Sequence, residues 1–247
     1  MTSKLAEMTW PEVKDAVADG ITTIFLPLGA TEQHGPHLPL GTDSLLAEAV
    51  ANGLTKVVPR VLVAPTLPIG CSDEHTGFPG LLSLDTQTLA RIIIDCARRM
   101  AGWGISRIIL FSAHGGNSKA LQLATNQLSD ELPLLRISLL DSSTKVADTL
   151  LAIAETDGVS PESVGLHAGE GETSEMLYFC PQFVHMERAA PGYTGNMPKI
   201  LPELAASGLS GVTQNGVLGD PRAAKASRGK RYYRAQLADF EEQLAHG

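Results

Sequence analysis

The chain has 247 residues, 43% of them hydrophobic, with 19 basic and 27 acidic side chains and a net charge of −8. That length fits one large α/β domain or two small ones with ample apolar content for a core, and the acidic balance argues against a broad nucleic-acid or anionic-membrane surface. No apolar stretch is long enough for a bilayer and the first residues carry no signal-like run; the three scattered cysteines, Cys71, Cys96 and Cys180, form no CxxC and point to a reducing, cytoplasmic compartment.

Thr9-Trp10-Pro11-Glu12 has the form of a capping box and predicts a short helix from Pro11 to Asp19, closed by Gly20. Ile21 to Leu28 is an apolar run that predicts the first strand. Thr42 or Asp43 opens a helix running to about Val57, with Leu45, Leu46, Ala49 and Val50 at helical spacing. Arg60 to Ala64 predicts a second strand, followed by a Pro/Gly loop from Pro65 to Gly80. Asp85 to Gly102 carries Leu89, Ile92, Ile93, Cys96, Ala97 and Met100 on one face of an amphipathic helix. Arg107 to Phe111 predicts a third strand that breaks at Ser112-Ala113-His114-Gly115-Gly116-Asn117, and a helix follows to Glu131. Leu134 to Leu140 predicts a fourth strand, and Ser143 to Ala154 another helix. Beyond Thr156 the alternation weakens. A helix is expected over Glu172 to Phe179, the Gly/Pro-rich segment Pro181 to Gly219 has no clear assignment, and Asp220-Pro221 predicts the start of a long helix to Ala245. Strand and helix in strict succession imply an α/β fold with a mostly parallel sheet covered on both faces, three layers in all. With no repeat and no linker, one domain over residues 1–247 is expected.

Three loops hold the chemistry-bearing residues. The first carries Glu32, His34, His37 and Asp43, the second His114-Gly115-Gly116-Asn117, and the third His167-Ala168-Gly169-Glu170-Gly171-Glu172. In a parallel sheet the carboxyl ends of the strands share one edge, so the first two loops can converge. Carboxylate with imidazole is a divalent-metal ligand set, and such groups crowd together only around a cation. Glu32, His34, Asp43, His114 and Glu172 supply enough ligands for two metals if Asp43 bridges. Such a pair can hold a water, lower its pKa and polarise a carbonyl. His167 is then a spare imidazole suited to shuttle a proton. Lacking thiolates, the ligand set accepts zinc, manganese or iron.

The run Leu28-Gly29-Ala30-Thr31-Glu32-Gln33-His34-Gly35-Pro36-His37-Leu38-Pro39 with Asp43 resembles the creatininase family. So do Glu74-His75 before Phe78-Pro79-Gly80, His114-Gly115-Gly116-Asn117, His167-Ala168-Gly169 with Glu172-Thr173-Ser174, and Gly216 to Pro221. These pieces stand in family order over roughly residues 22 to 230. The resemblance implies a four-stranded parallel core, assembly as a homo-oligomer, often a hexamer, and a two-metal amidohydrolase. It implies Glu32, Asp43 and His114 at one metal and His34 with Asp43 at the other. In creatininase proper a glutamate two residues after the loop histidine completes the second metal; here that position is Gly116, and Glu172 is the best replacement, which sets it beside His167 among the catalytic groups. Creatininase proper also frames its substrate with aromatics that Gly115 and the segment Asp157 to Ser163 lack, so creatinine is not the expected substrate. Relatives with His-Gly-Gly-Asn include a formylamino-pyrimidine deformylase and a peptidase that trims the mycofactocin precursor, both cleaving a linear amide.

The expected activity is therefore hydrolysis of a non-peptide C–N bond in a small linear or cyclic amide. Peptide maturation and silent metal binding are the alternatives. Glu74, His75, Gly115 and Gly116 are expected to meet substrate at the mouth, Glu74 and His75 in cis or from a neighbouring subunit. His37 is read as supporting a ligand carboxylate or as a turn residue, Glu170 as lining the pocket or, in preference, as a solvated loop acid, Asp220 as a helix cap, and Arg228, Lys230, Arg231 and Arg234 as a solvated face interacting with acids elsewhere or a subunit contact.

Overall fold

The structure is a computed structural model that describes residues 3–141 and 144–246. Its elements, in chain order, are α1 (Trp10–Ala18), β1 (Thr23–Leu28), α2 (Thr42–Leu54), β2 (Val61–Val63), α3 (Thr86–Gly102), β3 (Arg107–Ser112), α4 (Ser118–Glu131), β4 (Arg136–Leu140), α5 (Thr144–Thr156), α6 (Pro161–Val164), α7 (Glu170–Phe179), α8 (Met197–Ser207), α9 (Leu209–Val212) and α10 (Ala226–His246). The four strands form one parallel sheet in the order β2-β1-β3-β4.

Side chains on β1 alternate between two cores, as a strand's period of two requires. Ile24, Leu26 and Leu28 pack with Leu89 and Ile93 of α3 and with Leu121 and Leu128 of α4. Phe25 faces the other way, with Ile109 and Phe111 of β3, against Ala47, Val50 and Leu54 of α2 and Phe240 of α10. Both faces of the sheet are thus covered, which is why its strands read as continuous apolar runs. Thr9 and Glu12 close the capping box that starts α1, and Asp85 caps α3 by accepting a hydrogen bond from the Thr88 amide at 2.9 Å.

Two expectations shift. Asp220 caps only the single turn Pro221–Ala223, because Ala224 returns to extended backbone, and α10 begins at Ala226. The segment left open after Pro181 holds α8 and α9, whose Ile200 and Leu209 pack with Leu218 and beside Phe78. Ser143, the expected start of α5, lies outside the described residues.

Candidate metal centre

The loops leaving β1, β2 and β3 meet at the carboxyl edge of the sheet, with the start of α7 brought in beside them. Glu32 and His34 lie in the loop after β1, fixed by the Glu32 amide donating to the Leu40 carbonyl at 3.0 Å. Asp43 stands in the first turn of α2, where the helix dipole favours a negative charge. Glu32, His34 and Asp43 are all 2% exposed or less, and His114 is 7% exposed. Charged groups stay that deeply buried only when something pairs them.

Three histidines share one arrangement. His34 Nδ1 lies 3.2 Å from the Glu32 carbonyl, His114 Nε2 2.8 Å from the Cys71 carbonyl, and His167 Nε2 2.7 Å from the Gln33 carbonyl. A carbonyl only accepts, so each of these nitrogens carries the proton and donates it. The opposite nitrogen of each neutral ring then presents a lone pair to the acids. His34 Nε2 faces Asp43 Oδ1 at 3.1 Å, His114 Nδ1 faces Glu32 Oε2 at 3.3 Å and Asp43 Oδ2 at 3.5 Å, and His167 Nδ1 lies 3.8 Å from Glu32 Oε1. A lone pair aimed at a carboxylate oxygen is repulsive until a proton or a metal ion comes between them. A backbone carbonyl fixing the far nitrogen is also how proteins orient histidine ligands.

The buried acids favour a positive charge, proton or cation, at two of these rings. Burial disfavours the charged form of His34, but Asp43, Glu172 and Glu32 outweigh it and lift its pKa to about 10. His114 is lifted to about 9, with Glu32 and Asp43 overcoming the same burial. Burial also opposes ionisation of Glu32, yet His114 and His75 hold it well below the usual carboxylate range. Burial raises Glu172, and His34 offsets only part of the rise. His167 is driven well below the ordinary imidazole value by burial and by positive charge on His34 and His75.

Both Glu32 oxygens and Asp43 Oδ2 are buried without a hydrogen bond of acceptable geometry. His75 Nε2 comes within 3.0 Å of Glu32 Oε1, but off the hydrogen-bonding axis. Orphaned carboxylate oxygens beside imidazole nitrogens are a donor set that fits a divalent metal ion. Candidate ligand atoms fall within 4.8 Å of one another in three sets: Glu32, Asp43 and His114; His34, Asp43 and Glu172; and Glu32, His34 and His167. Asp43 belongs to the first two, one oxygen facing His114 and the other His34.

The third loop is braced from behind. His167 pairs with Leu218 as an isolated antiparallel bridge, its carbonyl accepting from the Leu218 amide at 2.9 Å. Ala168 takes a left-handed conformation with φ +51°, costly for a residue with a Cβ, and its amide donates to Glu172 Oε2 at 2.5 Å. Gly216, at φ +78°, leaves room for Gln33, since a Cβ there would overlap the Gln33 amide. Gln33 Nε2 donates to the Gly216 carbonyl at 3.0 Å and to His75 Nδ1 at 3.1 Å. That leaves the His75 proton on Nε2, toward Glu32.

Sequence reasoning passed over Gln33, whose role appears only through its partners at positions 75, 167 and 216. His75 was expected at the mouth. It is 2% exposed and supports Glu32 from within the same chain. Glu74 and Gly115 do lie at the surface of the cluster. Gly116 is partly buried, and a Cβ there would overlap the Cys71 carbonyl and His114 Nε2. His37 is fully buried and bonds Thr173, the neighbour of Glu172, at 2.9 Å. Glu170 is not a solvated acid and Arg228 is not on a solvated face. They pair at 2.7 Å, 0% and 1% exposed, with Tyr232 donating to Glu170 at 2.8 Å. Arg228 also reaches Asp157 at 2.6 Å. The pair locks the first turn of α7, which carries Glu172, to α10.

The creatininase family model, described as creatinine amidohydrolase, matches residues 6–244. The chain belongs to the creatininase family. It is 33% identical over 252 residues to the mycofactocin precursor peptide peptidase of Mycobacterium ulcerans (strain Agy99), covering 99% of this chain and 88% of that one. To the creatinine amidohydrolase of Pseudomonas putida it is 34% identical over 198 residues, covering 74% of each. The solved structure "Creatininase Mn" superposes with a TM-score of 0.80 at 25% identity, over all of this chain and 98% of that one. This is a hydrolase family, and the chain carries its four-stranded parallel fold.

Proposed function

We propose that this creatininase-family protein is a metal-dependent hydrolase of linear amide bonds, acting on short peptides or peptide-like amides. The observation that carries the reading is Asp43, whose two oxygens face His114 in one ligand set and His34 in another. Glu32, Asp43 and His114 would hold one divalent cation, and His34, Asp43 and Glu172 a second. Bound there, such ions acidify water and polarise a carbonyl.

The chain's own groups do the rest. His167 keeps its Nε2 proton on the Gln33 carbonyl, so Nδ1 is free to take a proton and pass it to a leaving nitrogen. Burial and nearby positive charge hold this ring well below the ordinary imidazole value, so a proton it receives is readily passed on. His75 and Gln33 hold Glu32 in place, and the Glu170–Arg228 pair holds Glu172. Gly115 leaves open space where creatininase proper carries an aromatic, and the two tryptophans of the chain, Trp10 and Trp103, belong to α1 and the end of α3. An open mouth suits a linear substrate better than a small ring. The mycofactocin precursor peptidases among its relatives favour a peptide bond over the non-peptide amide expected from the residues alone.

The test is a panel of formamides, lactams and short peptides, assayed after stripping and after reloading with zinc, manganese or iron. Cleavage of linear amides that requires metal is expected. Turnover that survives stripping, or confined to lactams, would refute the reading.

A further inference from the structure

Glu74 stands apart from the other acids of the centre. It lies in the single turn Asp73–His75, where the next residue, His75, is tied to Glu32. Asp73 accepts from the Ser83 hydroxyl at 2.7 Å, and the Thr76 amide donates to the Asp73 carbonyl at 3.0 Å, so both sides of the turn are anchored. The Glu74 side chain is 34% exposed, whereas Glu32 and Asp43 are hidden.

Its oxygen Oε1 lies 3.5 Å from His114 Nε2. That nitrogen already gives its proton to the Cys71 carbonyl, and no protein donor completes a hydrogen bond to the Glu74 carboxylate among the described residues. Nε2 is also the edge of the ring turned away from Glu32 and Asp43. Glu74 also belongs to none of the candidate ligand sets among the described residues.

Gly116 explains why the acid can be there. A Cβ at 116 would stand 3.0 Å from Glu74 Oε1, so Glu74 occupies the space a side chain at 116 would enter. Gly115 beside it is exposed, with open space around it. A partly exposed acid that faces the His114 ring at 3.5 Å but receives no completed hydrogen bond among the described residues, carried on an anchored turn beside the reacting groups, is placed to receive a donor from substrate.

We infer that Glu74 is a specificity-determining residue that binds a protonated primary amine on the substrate, close to the amide that is cut. Resting on the amide-hydrolase reading, this narrows the substrate class to amides with a free amino group, such as the amino end of a short peptide. An ammonium is compact and brings up to three donors, which suits one carboxylate with a clear approach.

The experiment compares metal-loaded wild type with Glu74→Gln on amino-acid amides bearing a free amine and on their N-acetyl counterparts. Wild type is expected to prefer the free amines. Glu74→Gln should lose about tenfold in kcat/KM on them, the scale of one charge-assisted hydrogen bond, with N-acetyl substrates and metal content unchanged. An equal loss on both series, or a preference that survives the substitution, overturns the inference. Calorimetric binding of n-butylamine, with n-butanol as control, needs no turnover. Weaker amine binding to Glu74→Gln supports the inference even if no amide is cut and the hydrolase reading fails; equal binding to both proteins overturns it.

Discussion

Asp43 is the residue on which the two ligand sets depend together. Asp43→Asn keeps the side chain's shape and removes the charge both sets share. Metal content should fall below that of wild type, and activity with it, as read by elemental analysis and amide turnover on the same preparation. His167→Ala should separate chemistry from binding: kcat falls about 10²- to 10⁴-fold, the usual worth of a positioned acid–base group, while metal content holds. Glu175 offers a stability test. It lines a cavity of about 170 Å³ with Glu172, Ser112 and Gln236. Burial, with Glu172 and Glu170 nearby, raises its pKa to about 8 from the ordinary 4.5. Protonated Glu175 therefore favours the folded state, fully below about pH 4.5 and progressively less as pH rises through 8. Glu175→Gln cannot ionise, so it should lose less Tm than wild type between pH 6 and pH 9. Equal losses would contradict the shift.

At the scale of elements, the Glu170–Arg228 pair joins α7 to α10. Arg228→Met leaves buried Glu170 without its counter-charge, with Tyr232 and Ser174 as its remaining donors, and breaking a buried pair in this way costs about 3–5 kcal/mol. Denaturant unfolding should show that loss, and adding Glu170→Gln should recover part of it. A change within 0.5 kcal/mol, the range of ordinary surface substitutions, would contradict the burial. This pair also marks the limit of the sequence. Periodicity and caps located the helices and strands of the first 156 residues to within a few positions, because local rules decide them. Arg228, Lys230, Arg231 and Arg234 look alike in sequence; only the register of α10 against α7 buries the first, and its partner lies 58 residues away. α8 and α9 escaped for a related reason: α8 contains Pro202, and its helical state rests on packing beside Phe78 and Leu218.

In the molecule as a whole, a parallel sheet gathers the loops after β1, β2 and β3 on one edge, and the convergence of four of the five expected ligands could be read in advance because they sit in the loops after β1 and β3 or in the first turn of α2. Glu172 carried the weakest local signal of the five, since an acid in the first turn of a helix is ordinary. His75 was misplaced because nothing local shows that its turn folds inward against Glu32. A cation that binds only the folded state stabilises it by mass action. A chelator should therefore lower the Tm of wild type and leave that of Asp43→Asn nearly unchanged, as scanning calorimetry would show. The homo-oligomer implied by family resemblance would sediment as a species several times the 26.1 kDa chain.

The most direct measurement is diffraction at the absorption edge of whichever metal elemental analysis finds in the purified protein. The account predicts anomalous peaks on both sides of Asp43, one within reach of Glu32 and His114, the other within reach of His34 and Glu172. A fully active protein free of divalent metal, or peaks remote from Asp43, would contradict it.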